Sequence, residues 1–437
     1  MAELMTIDKV SQGLQGEVEI PGDKSISHRS VMLSGLGSTQ VHITNFLHAQ
    51  DCLSTVACLR ALGAEIEFQG ETELTVKGQG LNGLQEPGTI IDAGNSGTTL
   101  RLMMGLLSAQ PFFTAFTGDA SLHRRPMGRV AKPLAQMGAR IYGREENTKL
   151  PLAIVPAEGG LKGISYQSPV ASAQVKSALL LAGMYAEGPT TVTEPFVSRD
   201  HTERMLAAFG VETERQGTSV TIRPVKPEDY KAPAAIEVPG DISSAAYWLV
   251  AGAILPGSKL LLRNVGINET RTGILDVLKD MGAKLELKNK RVSGGEAAAD
   301  ICVEAGPLHG TSFGAEIMPR LIDEIPIIAV AALMAEGDTI ITGAGELRVK
   351  ETDRLAAIEK EFNKLAPGAV EASEDGLVIH GGRPLGKARC FTYDDHRIAM
   401  SLAILGVAGD GVELENPGCV NISYPAFYGE LERLRKA

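Results

Sequence analysis

Short runs that mix cations with small polar residues stand in front of several apolar segments of this chain. In PGDKSISHR, Lys24 and Arg29 are five residues apart, and Ser25 and Ser27 lie between them. Helix N-termini carry partial positive charge and free N–H groups, so this pattern suits the binding of a phosphate or a carboxylate. A capped helix with solvated charges would give the same pattern, and the motif alone leaves both interpretations open.

Two further runs point to an anion site. GNSGTTLR is rich in glycine at a predicted helix start, where the backbone can approach a ligand closely. It lacks the lysine of the GxxxxGK[ST] loop, which argues against nucleoside triphosphates. HRRPMGR places Arg124, Arg125 and Arg129 before an apolar helix, and that is more positive charge than a solvated face needs.

Acidic groups occupy two more of these positions. Asp323 and Glu324 stand directly before PIIAVAALMA. A carboxylate among cations is a candidate general base, although an acid at this place is often only a helix cap. RVKETDR is predicted to place Lys350, Glu351 and Arg354 on one turn of helix, with the lysine and the arginine on the same face. A surface ladder of salt bridges is the alternative.

The last of these helix starts is DDHR, which contains Asp394, Asp395, His396 and Arg397. Two aspartates and a histidine are possible metal ligands, but no matching histidine pair at i and i+4 accompanies them. The five cysteines form no CxxC motif. We therefore expect no metal, no zinc cluster and no disulfide scaffold.

The composition narrows the class of protein. The chain has 437 residues, of which 53 are acidic and 42 are basic, giving a net charge of -11. Nucleic-acid binders usually show a basic excess, so nucleic acid is not expected as a partner. The apolar runs are too short to span a bilayer, and the N-terminal residues do not resemble a signal peptide. We expect a cytoplasmic protein.

Internal repeats set the positions of these motifs. PGDKSISHRSVML begins at Pro21 and PGDISSAAYWLVA begins at Pro239, an offset of 218 residues, which is half the chain. A shorter phrase of helix, glycine and strand recurs about every 73 residues. A glycine at this place predicts a helix C-cap that leads into a strand. The glycines of the phrase are Gly63, Gly138, Gly210, Gly282 and, in a looser copy, Gly368.

The repeats predict six βαβαββ units. The first helix of each unit is apolar nearly all round and must therefore be buried. Strand-like residues at the N-terminus are predicted to complete the last unit. The predicted fold is α/β (α+β): two lobes, residues 1–21 plus 241–437 and residues 22–240, with three repeats each and hinges at 21–23 and 239–241. A cleft between lobes is a preferred ligand site.

Together the motifs PGDKSISHR, GNSGTT, RRPMGR, ASAQVKSALLLAG, RVKETDRL and DDHRIAM resemble the 5-enolpyruvylshikimate-3-phosphate synthases. The resemblance implies a two-lobe inside-out barrel of six repeats that closes over its substrates. It also implies transfer of the enolpyruvyl group of phosphoenolpyruvate to the 5-hydroxyl of shikimate 3-phosphate, through a tetrahedral intermediate and without a cofactor. Both substrates are anions, which agrees with the cationic helix starts.

The resemblance assigns ligands to each substrate. Those for shikimate 3-phosphate are Lys24, Ser25, Arg29, Ser172, Ala173, Gln174, Arg199, Asp323 and Lys350. Those for phosphoenolpyruvate are Lys24, Asn95, Gly97, Thr98, Arg125, Gln174, Glu351, Arg354 and Arg397. The catalytic residues that it implies are Asp323, Glu351 and Lys24, with Asp323 accepting the proton of the 5-hydroxyl and Glu351 exchanging a proton with the methylene carbon.

Three positions depart from many members of the family. Ala173 replaces a second serine, Glu346 replaces an asparagine, and Ile422 stands where some members have a lysine. These changes resemble the family's second class and leave the last cationic contact unassigned. Gly97 is retained where a methyl group is associated with glyphosate tolerance, so we expect the inhibitor glyphosate to act on this protein. We also expect a monomer.

Other functions were weighed against this one. A UDP-N-acetylglucosamine enolpyruvyl transferase would carry a cysteine in its catalytic loop and an asparagine after Lys24, but GDASLHRRPMGR has no cysteine and Ser25 follows Lys24. A non-catalytic sensor of phosphorylated metabolites is disfavoured by the presence of Asp323, Glu351 and Lys24. An RNA-processing phosphate cyclase is disfavoured by the acidic net charge.

Overall fold

The structure, a computed structural model, describes residues 3–293 and 295–436. Contacts divide the chain into two compact units. The central unit comprises Gly22–Pro239 together with Val292–Glu296, and the flanking unit comprises Met1–Pro21, Gly240–Arg291 and Ala297–Ala437. These boundaries lie near the predicted hinges. Whether the units act as two lobes that move against one another remains a prediction.

The strands are short and are distributed along the whole chain. In chain order they are β1 (Leu4–Ile7), β2 (Gln15–Glu19), β3 (Val41–Thr44), β4 (Glu65–Phe68), β5 (Leu74–Lys77), β6 (Ile91–Asp92), β7 (Thr114–Thr117), β8 (Arg140–Gly143), β9 (Lys149–Val155), β10 (Ser165–Gln167), β11 (Thr190–Thr193), β12 (Thr213–Gln216), β13 (Ser219–Ile222), β14 (Ala235–Glu237), β15 (Lys259–Gly266), β16 (Lys284–Ser293), β17 (Glu296–Glu304), β18 (Ser312–Phe313), β19 (Asp338–Ile341), β20 (Val370–Ala372), β21 (Leu377–His380), β22 (Ala388–Phe391) and β23 (Val412–Glu415).

The helices alternate with these strands. In chain order they are α1 (Lys24–Ser34), α2 (Gln50–Ala61), α3 (Gly97–Leu107), α4 (Ala120–Arg124), α5 (Gly128–Gln136), α6 (Arg144–Asn147), α7 (Ala173–Gly183), α8 (His201–Ala208), α9 (Ile242–Ile254), α10 (Gly273–Asp280), α11 (Met318–Leu321), α12 (Ile325–Met334), α13 (Arg354–Leu365), α14 (His396–Ala408) and α15 (Phe427–Arg435).

Among the described residues each unit contains three small sheets, all of four strands except the three-stranded sheet β1-β23-β22. In the central unit the strand orders are β14-β3-β5-β4, β6-β7-β9-β8 and β10-β11-β13-β12. In the flanking unit they are β16-β17-β15-β2, β18-β19-β21-β20 and β1-β23-β22. In each sheet one edge strand pairs in parallel with its neighbour, and that neighbour pairs antiparallel with the next strand. The predicted sixfold repeat is therefore present in the sheets.

β2 and β14 are the last strands before the chain passes from one unit to the other. Each of them pairs with a strand of the unit that the chain is about to leave. β2 runs directly into α1 of the central unit, yet it pairs in parallel with β15 of the flanking unit, with Val18 opposite Leu262. β14 runs into α9 of the flanking unit, yet it pairs with β3, with Ile236 opposite Ile43. β1 pairs with β23, so the prediction that N-terminal residues complete the last repeat is confirmed for β1 only.

The glycines of the repeated phrase end their helices as predicted. Their φ angles are all positive: 95° at Gly63, 97° at Gly138, 81° at Gly210, 93° at Gly282 and 68° at Gly368. Residues with a Cβ rarely adopt this conformation, whereas glycine adopts it without steric cost. The backbone can therefore leave the helix and enter the next strand within a few residues.

The first helix of each repeat is buried, as its composition predicts. Every residue of α9 is buried, and so is every residue of α12 except Met334. Within the flanking unit the indole N–H of Trp248 donates to the hydroxyl of Tyr424 at 2.9 Å, so this buried polar group is satisfied. Among the described residues, no helix combines the length and the apolarity that crossing a membrane would require.

Candidate functional site

In the central unit, Lys24 lies at the first position of α1. Asp23 caps this helix by accepting the N–H of Ile26 at 2.9 Å. The Lys24 ammonium lies 3.0 Å from a carboxylate oxygen of Asp51. Burial alone would raise the pKa of Asp51, but the positive charges of Lys24 and His28 outweigh burial and lower it to about 2. The ionised carboxylate of Asp51 therefore orients the Lys24 side chain at the helix start.

Arg29 is a second fixed cation on α1. It is 5% exposed and donates to the hydroxyls of Thr202 at 2.7 Å and Ser177 at 2.9 Å, and to the Ser25 carbonyl at 2.9 Å. Burial lowers its pKa to about 10 in spite of the acidic charge of Glu203. The guanidinium is therefore still protonated at neutral pH, and its direction is set by hydroxyls of α7 and α8.

The start of α3 is shaped around Arg125. Its Nη1 donates to the carbonyl of Asn95 at 3.1 Å. A Cβ built on Gly97 would lie 2.8 Å from Nη2 of Arg125 and 3.0 Å from Nη1 of Arg101. The absence of a side chain at Gly97 therefore leaves room for both guanidinium groups beside the helix N-terminus. Ser96 caps α3 by accepting the N–H of Thr99 at 3.1 Å.

Gln174, at the second position of α7, is held from both ends of its amide. Its Nε2 donates to the hydroxyl of Thr98 at 3.1 Å, and its Oε1 accepts from Nη1 of Arg101 at 2.7 Å. Arg101 also donates to the carbonyl of Pro126 at 3.1 Å. The sequence analysis missed Arg101, although a single charge inside the apolar run GTTLRLMMGLL was a visible signal.

The remaining predicted residues of the central unit lie around the starts of α7 and α8. Ser172 is the N-cap of α7 and Ala173 is its first residue. Arg199 precedes α8, and its positive charge contributes to the lowered pKa of Arg29, so the two cations are electrostatic neighbours. The central unit therefore presents cations and small polar groups at three helix starts.

In the flanking unit, Asp323 is surrounded by cations. It lies in a 3₁₀ turn, Ile322–Glu324, directly before α12. One carboxylate oxygen lies 3.3 Å from Nζ of Lys350 and 3.5 Å from Nη1 of Arg354. Its main-chain carbonyl accepts from Nη1 of Arg397 at 3.2 Å. Three cations thus converge on this one residue.

Arg354 links Glu351 to a buried aspartate. The arginine side chain is 1% exposed; its Nε donates to Asp395 at 2.8 Å and its Nη2 donates to Glu351 at 2.8 Å. Burial alone would lower the pKa of Arg354, but these carboxylates raise it above its usual value. Asp395 also caps α14 by accepting the N–H of Arg397 at 2.9 Å, so it orients both arginines.

One local prediction in this region was wrong. RVKETDR is not a single helical turn, because Gly345–Val349 is a 3₁₀ helix, Lys350 is extended, and α13 begins only at Arg354. Asp353 ends the irregular stretch by capping α13 through the N–H of Ala356 at 3.1 Å. Lys350 and Arg354 nevertheless both reach Asp323, because the bend between them brings the two side chains to the same carboxylate.

Two of the positions that depart from many members of the family lie in 3₁₀ helices. Ile422 ends the 3₁₀ helix Pro417–Ile422 and is partly buried, and Glu346 lies within Gly345–Val349. Across residues 3–293 and 295–436, no group of three or more histidine, cysteine, aspartate or glutamate side chains is arranged to hold a metal ion.

Comparison with known proteins identifies relatives along almost the whole chain. The model of the EPSP synthase (3-phosphoshikimate 1-carboxyvinyltransferase) family matches residues 9–431. A 3-phosphoshikimate 1-carboxyvinyltransferase of Desulforudis audaxviator is 52% identical over 426 residues, which cover 97% of this chain and 98% of the relative. The corresponding protein of Bacillus cereus (strain G9842) is 52% identical and covers 99% of both chains.

Solved structures agree with these relatives. An EPSP synthase from Acinetobacter baumannii is 41% identical, aligns with a TM-score of 0.87 and covers 99% of this chain and 98% of its own. The enolpyruvyl transferase NikO from Streptomyces tendae, at 19% identity and a TM-score of 0.79, shares the fold. The predicted fold class, with its six small sheets and buried helices, is confirmed. The chain belongs to the EPSP synthase (3-phosphoshikimate 1-carboxyvinyltransferase) family.

Proposed function

We propose that this protein transfers the enolpyruvyl group of phosphoenolpyruvate to the 5-hydroxyl of shikimate 3-phosphate and releases phosphate. Membership of the family supports this reaction. The single observation that carries the assignment of chemistry is the cluster in the flanking unit, where Asp323 and Glu351 are both held by Arg354. A reaction that adds a proton and later removes one needs carboxyl groups whose protonation is tuned by neighbouring charge.

In the proposed addition step, Asp323 accepts the proton of the 5-hydroxyl as its oxygen bonds to C2 of phosphoenolpyruvate. Glu351 donates a proton to the methylene carbon, which becomes the methyl group of a tetrahedral intermediate. In the elimination step Glu351 takes a proton back from that methyl group, and the C2–O bond to phosphate breaks with its electron pair leaving on inorganic phosphate, which restores the double bond. Lys350 and Arg354 keep Asp323 among positive charges throughout.

The binding roles follow the charges. Lys24, Arg125, Arg354 and Arg397 are proposed to bind the phosphate and carboxylate of phosphoenolpyruvate, since planar guanidinium groups bind such anions in a bidentate way. Asn95, Gly97, Thr98 and Gln174 would complete that set. The proposed ligands of shikimate 3-phosphate are Lys24, Ser25, Arg29, Ser172, Ala173, Gln174, Arg199, Asp323 and Lys350. Inhibition by glyphosate, a monomeric state and a cytoplasmic location belong to the same proposal.

The test is a direct assay of the purified protein. Phosphate release is expected when shikimate 3-phosphate and phosphoenolpyruvate are both present, and the product made from shikimate 3-phosphate should carry an enolpyruvyl ether at O5. Replacing shikimate 3-phosphate by UDP-N-acetylglucosamine should abolish release. Phosphate release with the nucleotide sugar instead would contradict the proposal and favour the related transferase. If no phosphate were released with either acceptor, a non-catalytic sensor would be favoured.

A further inference from the structure

A buried carboxylate in the central unit joins two loops that the reaction uses, although Glu194 itself is not among the proposed ligands. Glu194 follows β11 and is 4% exposed. Its Oε1 accepts the main-chain N–H of Ser172 at 2.8 Å. Its Oε2 accepts the hydroxyl of Ser198 at 2.8 Å and the N–H of the same residue at 3.3 Å. One side chain therefore fixes the spacing of both loops.

A buried lysine holds this carboxylate in place. Nζ of Lys176 lies 3.3 Å from Oε2 of Glu194 and 2.8 Å from Oε1 of Glu203, and it donates to the carbonyl of Ser198 at 3.3 Å. Lys176 is 1% exposed. A buried ammonium with two carboxylate partners and a carbonyl is satisfied within the protein. Lys176 therefore acts on the loops and not on a ligand.

The two loops lead directly into proposed ligands of shikimate 3-phosphate, among which Ser172 and Arg199 are the proposed contacts of its phosphate group. Ser172 is followed by Ala173 and Gln174, and Ser198 is followed by Arg199. Arg29 contacts the same two helices, because it donates to Ser177 of α7 and Thr202 of α8. Ser177 follows Lys176 in the sequence, and Thr202 precedes Glu203. The network thus orients residues that approach an anion from both loops and from α1.

We propose that Glu194, held by Lys176, is the positioning residue that sets the geometry of the phosphate subsite for shikimate 3-phosphate. The inference rests on the proposed function, and it adds a residue that acts through Ser172 and Arg199 without touching substrate. A carboxylate accepts hydrogen bonds at both oxygens, which is why it can hold two loops at once. An amide cannot do so, because its nitrogen is a donor.

The test is the substitution Glu194→Gln, which keeps size and shape. We expect the KM and Kd for shikimate 3-phosphate to rise about tenfold, corresponding to about 1.4 kcal/mol. The KM for phosphoenolpyruvate and kcat should change by less than about threefold, because the groups around Asp323 are untouched. Glu187→Gln, the same substitution at an exposed position of the central unit, is the matched control and should leave both constants unchanged.

A second ligand isolates the phosphate. The Kd of shikimate, which lacks the phosphate, should be the same for wild type and Glu194→Gln when both are measured by calorimetry. Glu194→Asp keeps the charge and should restore part of the affinity for shikimate 3-phosphate. Equal losses for shikimate and its phosphate, or a lower melting temperature with an unchanged KM, would overturn the proposal and leave Glu194 with a structural role only.

Two further results keep the test decisive. If Glu194→Gln does not fold, Ser198→Ala removes one hydroxyl donor and leaves the main-chain bond, and we expect a smaller rise in Kd, about twofold to threefold. An unchanged Kd in that variant would overturn the proposal. Failure of the proposed function is recognised separately, because wild type would then neither bind shikimate 3-phosphate nor release phosphate.

Discussion

The two units place different chemistry on the same repeated scaffold. In the central unit the candidate residues are cations and small polar groups at the starts of α1, α3 and α7, and Lys24 is paired with Asp51 behind it. In the flanking unit the candidate cations alternate with acids. The single side chain of Arg354, for example, contacts three carboxylates, those of Asp323, Glu351 and Asp395.

This difference separates groups suited to binding an anion from groups suited to exchanging protons with it. A helix start with a cation and free N–H groups stabilises an anion whether or not a proton moves. Carboxylates beside shared arginines are suited to exchanging protons, since small changes in the surrounding charge alter their protonation. We therefore expect substitutions of the small and polar groups at the helix starts of the central unit to change mainly KM, and substitutions of Asp323 and Glu351 in the flanking unit to change mainly kcat.

The largest expected effect is on Glu351. Glu351→Gln should lower kcat by about 10³-fold, within the range for a general acid or base, and change the KM for phosphoenolpyruvate by less than about threefold. The measurement is steady-state phosphate release with both substrates. Glu374→Gln, an exposed position of the flanking unit, is the control. A large rise in KM with normal kcat would break the comparison between the units.

The next effect is on Gly97 in the central unit. Gly97→Ala places a methyl group 2.8 Å from Nη2 of Arg125, a distance at which the guanidinium must shift. We expect the KM for phosphoenolpyruvate to rise about tenfold, a loss of about 1.4 kcal/mol, with a smaller change in kcat. Inhibition by glyphosate should weaken in the same variant.

The matched substitution for this test is Gly345→Ala in the flanking unit. A Cβ at Gly345 would meet nothing closer than 3.7 Å, at Asp375. Its KM values should therefore equal those of wild type. If both alanine variants raised the KM equally, the effect at Gly97 would not come from the crowding of Arg125.

The third effect is on stability in acid. Burial lowers the pKa of His28 to about 4, with a smaller opposing effect of Asp51. Because the folded state disfavours the protonated ring, its contribution is complete above pH 6.5 and is lost as the pH falls from 6.5 to 4. At 1.36 kcal/mol per pKa unit the loss is up to about 3 kcal/mol.

The pH effect is measured by urea unfolding followed with a signal from the central unit. The free energy of unfolding should decline between pH 6.5 and 4 in wild type and decline less in His28→Asn. The partly exposed His380 of the flanking unit serves as the control position. Its hydrogen bond to Asp338 raises its pKa, so His380→Asn should not reduce the decline between pH 6.5 and 4. Parallel curves for wild type and His28→Asn would contradict the prediction.

The smallest effects should be equal in the two units. Gly138 and Gly282 occupy the same place in their repeats, with φ angles of 97° and 93° and no atom closer than 3.5 Å to an added Cβ. Gly138→Ala and Gly282→Ala should each lower the free energy of unfolding by about 1–2 kcal/mol, since the cost is that of the backbone conformation. Activity should be unchanged in both. Unequal costs would show that the scaffold is less regular than the sheets suggest.

Much of the fold could be predicted because it depends on local signals. Gly63 and its counterparts end helices through their own backbone freedom, and the apolar helices are buried because no face of them is polar. The pairing of β2 and β14 could not be predicted, since both follow the same local pattern as the other strands and differ only in the distant partner.

The sequence indicates candidate site residues whose charge lies at a helix start. It does not indicate residues that only position another residue of the site. Lys24 and Arg397 follow capped turns that the sequence shows. The link from Arg101 to Gln174 joins residues 73 positions apart, and Glu194 reaches Ser172 across 22 positions. Spacing along the chain carries no information about such contacts.

The distant partners of β1 and β2 also determine the order in which sheets can form during synthesis on the ribosome. All strands of the three central sheets lie between residues 41 and 237, so those sheets can close before the rest of the chain exists. The first two strands must instead wait for β15 and β23, which emerge more than 200 residues later. Until then their backbone N–H and C=O groups lack partners in the sheet and offer an edge to other chains. β1 and β2 emerge before the strands of the central sheets and are nevertheless among the last strands to find their partners.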